Sequence, residues 1–161
     1  QRQMCIRDSL IGFTTEQKSM TSRQLDGAFP PYRHLLPSES IATAVIEVAT
    51  LLDSVRRVAL VTDKTVPLRL KFSDNSLHLE AGAGDEATAT EELQISYTGE
   101  AIDIAFNPTF LADGLNALGT PYVNIAFTGS NKPAVLSGKN KVDGEIDSSY
   151  RYLLMPMRYA S

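Results

Sequence analysis

From Ile41 onward the sequence runs the same course twice, and that doubling restricts the fold more than any single motif does. The first pass opens with "IATAVIEVA", β-branched and partly alternating, which reads as a strand. "ATLLDSVRRVALV" follows. Leu51 or Leu52, Val55, and Val58 or Ala59 fall on one helical face, with Asp53, Arg56 and Arg57 toward the other. "PLRLKFS" and "SLHLEAG" alternate apolar and polar residues around "DNS", a hairpin signal. "ATATEELQISYTG" reads as one further long strand. The second pass opens with the alternating "AIDIAFN". In the helix "NPTFLADGLNALG", Asn107 can cap, Pro108 suits the first turn and Gly119 can stop the element. Its apolar stripe is Phe110 or Leu111, Leu115 and Leu118. "YVNIAFTG" and "PAVLSG" are strands, "GKNKVDGEIDSS" a polar loop, and "YRYLLMPM" the last strand. Two β-α-β-β-β halves with almost no repeat in their letters predict an α+β architecture. Antiparallel sheets pair between the halves, and both helices lie on one side.

Upstream, "LIGFTTEQKSMTSRQLDG" reads as two short strands around a polar turn. In "AFPPYRHLLPSES", Pro30, Pro31 and Pro37 exclude regular structure and predict an extended linker. Its Phe29, Tyr32, Leu35 and Leu36 predict that it lies against a surface. "QRQMCIRDS" has no periodicity and resembles a translated sequencing adapter, so it is expected to stand outside the fold. The expected boundaries are a non-native scar at 1–9, the end of one domain at 10–29, a linker at 30–40 and a complete domain at 41–161.

Little in the sequence points to catalysis. His34 lies in the linker, and His78 on the exposed parity of its strand. Neither belongs to a Cys/His cluster with metal spacing, and no phosphate-binding glycine loop or nucleophile elbow is present. The carboxylates of Asp85–Glu86 and Glu91–Glu92 point to opposite faces of a strand, so neither pair converges on one substrate atom. They read as solvated surface. Lys139, Lys141, Asp143 and Glu145 read as a charged loop. No cofactor and no metal are expected. The net charge of −4 disfavours a generally basic nucleic-acid binder but leaves room for a local basic face at Arg56 and Arg57. No stretch reaches the roughly 18 apolar residues of a membrane helix. The single cysteine, Cys5, permits no internal disulfide, and the expected location is the cytoplasm.

Chain ends are usually polar and frayed, yet this one ends "YRYLLMPMRYAS". That ending, with "LDGAFPPYRHLLP" and "FNPTFLADGLNAL" at matching separations, resembles the β subunit of bacterial DNA polymerase III, the sliding clamp, over residues 10–158. The resemblance implies a DNA-clamp fold of two β-α-β-β-β halves. It implies a non-catalytic subunit of the polymerase III holoenzyme, in which a homodimeric, nucleoid-associated ring of three-domain subunits encircles double-stranded DNA. It implies a hydrophobic pocket for short linear motifs of the polymerase III α subunit, the clamp loader, other polymerases and repair proteins. The matching pocket positions are Pro30, His34, Leu35, Pro133, Leu153, Leu154, Met155, Pro156, Met157 and Arg158. Strand parity lets only one of Leu153 and Leu154 face the groove. Arg56 and Arg57 match positions for phosphate contact, with Asp53 and Asp113 weakening the local field, and Leu60 matches a position in the dimer interface. Two departures stand out. His34 replaces a frequent arginine, and "YAS" replaces the usual leucine ending. An isolated peptide-binding module that does not encircle DNA is the alternative, and an unrelated small α+β enzyme is the least supported reading.

Overall fold

The second helix shows how directly local chemistry sets an element. Asn107 Oδ1 accepts hydrogen bonds from the Thr109 and Phe110 amides at 2.9 and 3.3 Å. These amides are among the orphan donors of a helix start, and Pro108 has no amide to leave unpaired. At the other end Gly119 takes a left-handed φ of 65°, which closes the helix after Leu118. The hairpin at "DNS" is equally local: Asp74 and Asn75 both adopt positive φ, 47° and 62°, as a tight type I′ turn requires.

The computed structural model describes residues 3–7, 10–29, 31–33, 36, 37, 39–61, 66–82 and 87–158, the first five by their backbone only. The chain divides into two units, Gln1–Arg33 and His34–Ser161. The first contains an antiparallel sheet of β1 (Gln3–Arg7), β2 (Leu10–Thr14) and β3 (Ser19–Arg23). The two predicted strands are therefore present. The backbone at 3–7, expected to stand outside the fold, pairs with β2 in register from Gln3↔Thr14 to Arg7↔Leu10. Strand pairing needs only backbone groups, so a segment without periodicity can still join a sheet edge. Leu10, Phe13 and Met20 are exposed, and no described side chain of β2 or β3 is buried.

The second unit contains β4 (Ala42–Glu47), α1 (Val48–Val58) with a 3₁₀ turn at Ala59–Val61, β5 (Leu68–Ser73), β6 (Ser76–Gly82), β7 (Thr88–Gln94) and β8 (Ser96–Gly99). It continues with β9 (Ile102–Phe106), α2 (Pro108–Leu118), β10 (Tyr122–Phe127), β11 (Ala134–Lys139) and β12 (Ile146–Leu154). The sheets are antiparallel, ordered β12-β11-β10-β4-β8 and β7-β6-β5-β9. Each half thus lends its first strand to the other: β4 pairs with β10 of the second half, and β9 pairs with β5 of the first. The two helices pack on each other, α1 also against β6 and β7 and α2 against β11 and β12. One continuous core fills the interior, including Leu51, Leu52, Val55 and Val58 from α1 and Leu111, Leu115 and Leu118 from α2. Leu51 and Leu52 are both buried, whereas Phe110 turns outward.

Three further expectations need correction. The long strand over "ATATEELQISYTG" is two strands in two sheets. Between them the Ile95 amide bonds to the Asn75 carbonyl and the Tyr97 amide to Asn75 Oδ1, which carries the chain from β7 across to β8 on the edge of β4. The polar loop before the last strand is shorter than expected, because β12 already begins at Ile146. Lys139 is no loop residue. It ends β11, is 9% exposed, and donates from Nζ to the Val142 carbonyl at 2.5 Å. Among the described residues no helix is long and apolar enough to cross a membrane.

Candidate functional site

The last strand settles the parity question. Leu154 lies opposite Ala134, is 3% exposed and belongs to the core, while Leu153 is half-buried and Met155 is 61% exposed. Leu154 is therefore a core residue and does not line the groove. Beyond β12 the chain runs on without regular structure, and the Met157 amide donates to the Ala105 carbonyl of β9 at 2.8 Å. Pro156 just before it has no amide to donate and holds its φ near −65°, which favours an extended tail.

This tail has a counterpart in the first half. After β7 the chain leaves its own sheet and lies along β4 as β8, pairing at four positions from Ala42↔Gly99 to Val45↔Ser96. After β12 the tail likewise leaves its sheet and meets β9, the strand that stands in the second half where β4 stands in the first. The tail is thus a part of the fold, with Met155 and Arg158 exposed and Pro156 and Met157 half-buried.

The tail borders a groove of about 730 Å³ lined by Asp103, Ser130, Asn131, Met155, Pro156, Met157 and Arg158. Four of these were expected from the sequence. Pro133 and Leu153 are half-buried and lie outside this lining. Pro30, His34 and Leu35 lie outside the described residues. Asp103, Ser130 and Asn131 were missed. Asp103 reads as an ordinary exposed position of an alternating strand, and Ser130 and Asn131 sit in the turn between β10 and β11. Only the return of the tail to β9 makes them neighbours of the methionines. Asp103 is fixed by Arg69, whose Nε and Nη2 donate to its two carboxylate oxygens at 3.0 and 2.7 Å. On β12 the Tyr152 hydroxyl donates to the Phe110 carbonyl at 3.1 Å, and its ring closes on Gly114 of α2. Burial, helped by Asp113 and Tyr150, pushes that phenol above its usual pKa.

The wall is chemically mixed. Methionine side chains are flexible and polarizable, and repack against differently shaped apolar groups. The carboxylate, hydroxyl, amide and guanidinium around them can orient a ligand through a few polar contacts. Among the described residues no group of three or more His, Cys, Asp or Glu side chains could hold a metal.

The helical arginines lie elsewhere, on the last turn of α1. Arg56 sits 3.8 Å from Asp53, both exposed. Arg57 makes a two-point contact with Glu91 of β7, Nε to Oε1 at 2.5 Å and Nη2 to Oε2 at 2.8 Å. The hydrogen bond from Arg57 is the main reason that the Glu91 carboxyl is held below its ordinary range. Glu91 is thus not the freely solvated carboxylate expected. Its partner lies 34 residues away, beyond the reach of local pattern. Leu60, in the 3₁₀ turn after α1, is 84% exposed and stands beside the partly exposed Val61.

This architecture has known relatives. The model of the family described as "DNA polymerase III beta subunit, C-terminal domain" matches residues 33–158. The chain belongs to this family. The beta sliding clamp of Streptomyces coelicolor is 47% identical over 151 residues, which are 94% of this chain and 40% of that protein. The beta sliding clamp homolog GriR of Streptomyces muensis is 42% identical over the same shares. The crystal structure of the Pseudomonas aeruginosa sliding clamp bound to griselimycin superimposes with a TM-score of 0.83 at 29% identity. It covers 97% of this chain and 41% of that one. The chain therefore spans about 40% of the length of the relatives it matches.

Proposed function

We propose that this chain is the third-domain portion of a sliding clamp, a non-catalytic subunit of the DNA polymerase III holoenzyme that acts in the cytoplasm. In the whole protein, two subunits form a ring around double-stranded DNA. The ring holds the polymerase near its template, and tethering raises effective concentration so that rebinding outruns escape. The groove at residues 155–158 receives short linear motifs of the polymerase III α subunit, the clamp loader, other polymerases and repair proteins. Pro133 and Leu153 contribute to the same pocket. Arg56 and Arg57 face the DNA backbone, where contacts independent of sequence allow sliding, and Leu60 contributes to ring closure.

The observation that carries this reading is the tail. A segment built only to close a core would bury its methionines. Here Leu154 is buried while Met155 is left 61% exposed at the mouth of a groove. The test is fluorescence anisotropy with a labelled peptide of the Gln-x-x-Leu-Phe type. Saturable binding that Met155→Ala and Leu153→Ala weaken is the expected result. No binding by the folded chain, or binding indifferent to both substitutions, would refute the site.

A second reading is that the chain as it stands is a peptide-binding module that does not encircle DNA. Its favouring observation is that the described groove is lined entirely by residues of the second unit. Salt-resistant retention on circular but not linear DNA separates the two, since only a closed ring is topologically held.

A further inference from the structure

We infer that Glu91 competes with DNA phosphate for Arg57, so that the α1 face holds duplex more loosely than its two arginines suggest. The inference rests on the reading that α1 faces DNA, and it names the residue that sets the grip. Arg57 is not a waiting cation. Its guanidinium meets the Glu91 carboxylate fork to fork, and Nη2 also donates to Ser54 Oγ at 3.2 Å. These bonds occupy three of the five guanidinium N–H groups. Ser54 is fully buried, and the Glu91 side chain is only 23% exposed, so the inner side of the contact is walled by protein. The Arg57 side chain is 58% exposed, so a phosphate can reach its outer side. A phosphate arriving there meets a charge already balanced by a carboxylate at hydrogen-bond distance. It must share the guanidinium or displace Glu91, and both routes weaken the contact. Arg56 differs. Its acid, Asp53, is 3.8 Å away and exposed, so it yields to a phosphate more readily.

Glu92 provides an internal control. It is the next residue of β7, stands opposite His78 in the register and is exposed. Its neutralisation changes net charge equally but leaves Arg57 bound. The experiment is anisotropy of labelled duplex DNA with the whole chain across a salt titration. The variants are Glu91→Gln, Glu91→Ala, Glu92→Gln, Arg57→Ala and Glu91→Ala/Arg57→Ala, each checked for folding by thermal melting. Freeing one phosphate contact steepens the plot of log K against log salt by about 0.9, an additional loss of about 3.5-fold over a fourfold rise in salt. The two Glu91 variants are expected to show this steepening and tighter binding at low salt. Glu92→Gln is expected to show a smaller gain, and the double variant none. Equal gains in Glu91→Gln and Glu92→Gln, or a gain that survives Arg57→Ala, would reduce the effect to general charge and overturn the inference. Weakening by Arg57→Ala without any gain from Glu91→Ala would overturn it too, while leaving the DNA-facing role of α1 intact. If no variant, Arg57→Ala included, alters DNA binding, the DNA-facing reading falls and this inference falls with it.

Discussion

Leu154→Ala separates core from groove at adjacent residues of one strand. The side chain is 3% exposed, sits against Ala134 and belongs to the central cluster, so truncation removes three buried carbons. At roughly 0.8 kcal/mol each the transfer loss is about 2.4 kcal/mol. The unfilled cavity raises the total into the range of about 2.7–5 kcal/mol seen for buried leucines. For a domain of this size, a loss near 3 kcal/mol lowers Tm by roughly 10 °C. Met155→Ala removes a side chain that is 61% exposed, and its expected cost is below about 0.5 kcal/mol. The assay pairs thermal melting by circular dichroism with peptide anisotropy at a temperature where both variants are folded. Leu154→Ala is expected to melt early yet bind peptide, and Met155→Ala to melt normally yet bind weakly. A Leu154→Ala variant with unchanged Tm and no peptide binding would show that Leu154 faces the ligand, and the parity argument would be wrong.

Other outcomes follow from single contacts. Asn107→Ala removes the acceptor for two α2 amides and should cost about 1 kcal/mol by denaturant titration, with Asn107→Asp restoring most of it. Gly114→Ala places a Cβ 2.6 Å from the Tyr152 ring and should cost about 1–3 kcal/mol. Combined with Tyr152→Ala, its cost should be less than additive. The Glu91 carboxyl is depressed below its ordinary 4.5. Its contribution to stability is therefore complete above that value and lost as pH falls through the lower folded-state pKa. Melting temperatures of the parent chain and Glu91→Gln should differ near neutrality and converge in acid, and a constant difference would refute this.

Elements with their own punctuation were legible from the sequence. The second helix needed only Asn107, Pro108 and Gly119, and the β5–β6 hairpin only "DNS" between two alternating runs. The alternation of Leu153, Leu154 and Met155 already required that one leucine point inward. The strand over "ATATEELQISYTG" was misjudged because continuous β propensity does not state which partner a strand will find. Asn75 takes the Ile95 and Tyr97 amides and divides the run between two sheets. The groove was half legible for the same reason. Residues 155–158 declare themselves by two methionines around a proline, but Asp103, Ser130 and Asn131 have no pattern that ties them to it.

By itself, then, the sequence determined the two helices with their local stops and the inward or outward parity of the alternating strands β5 and β6. These depend on backbone dihedrals, capping groups and the periods of helix and strand, all set within a few residues. The tertiary structure alone decided that β4 and β9 change halves, that the tail meets Ala105, and that Arg57 answers to Glu91. Backbone hydrogen bonds and ion pairs carry no address in the letters. Which donor meets which acceptor across 34 residues or more is settled only when burial of the common core brings the two segments together.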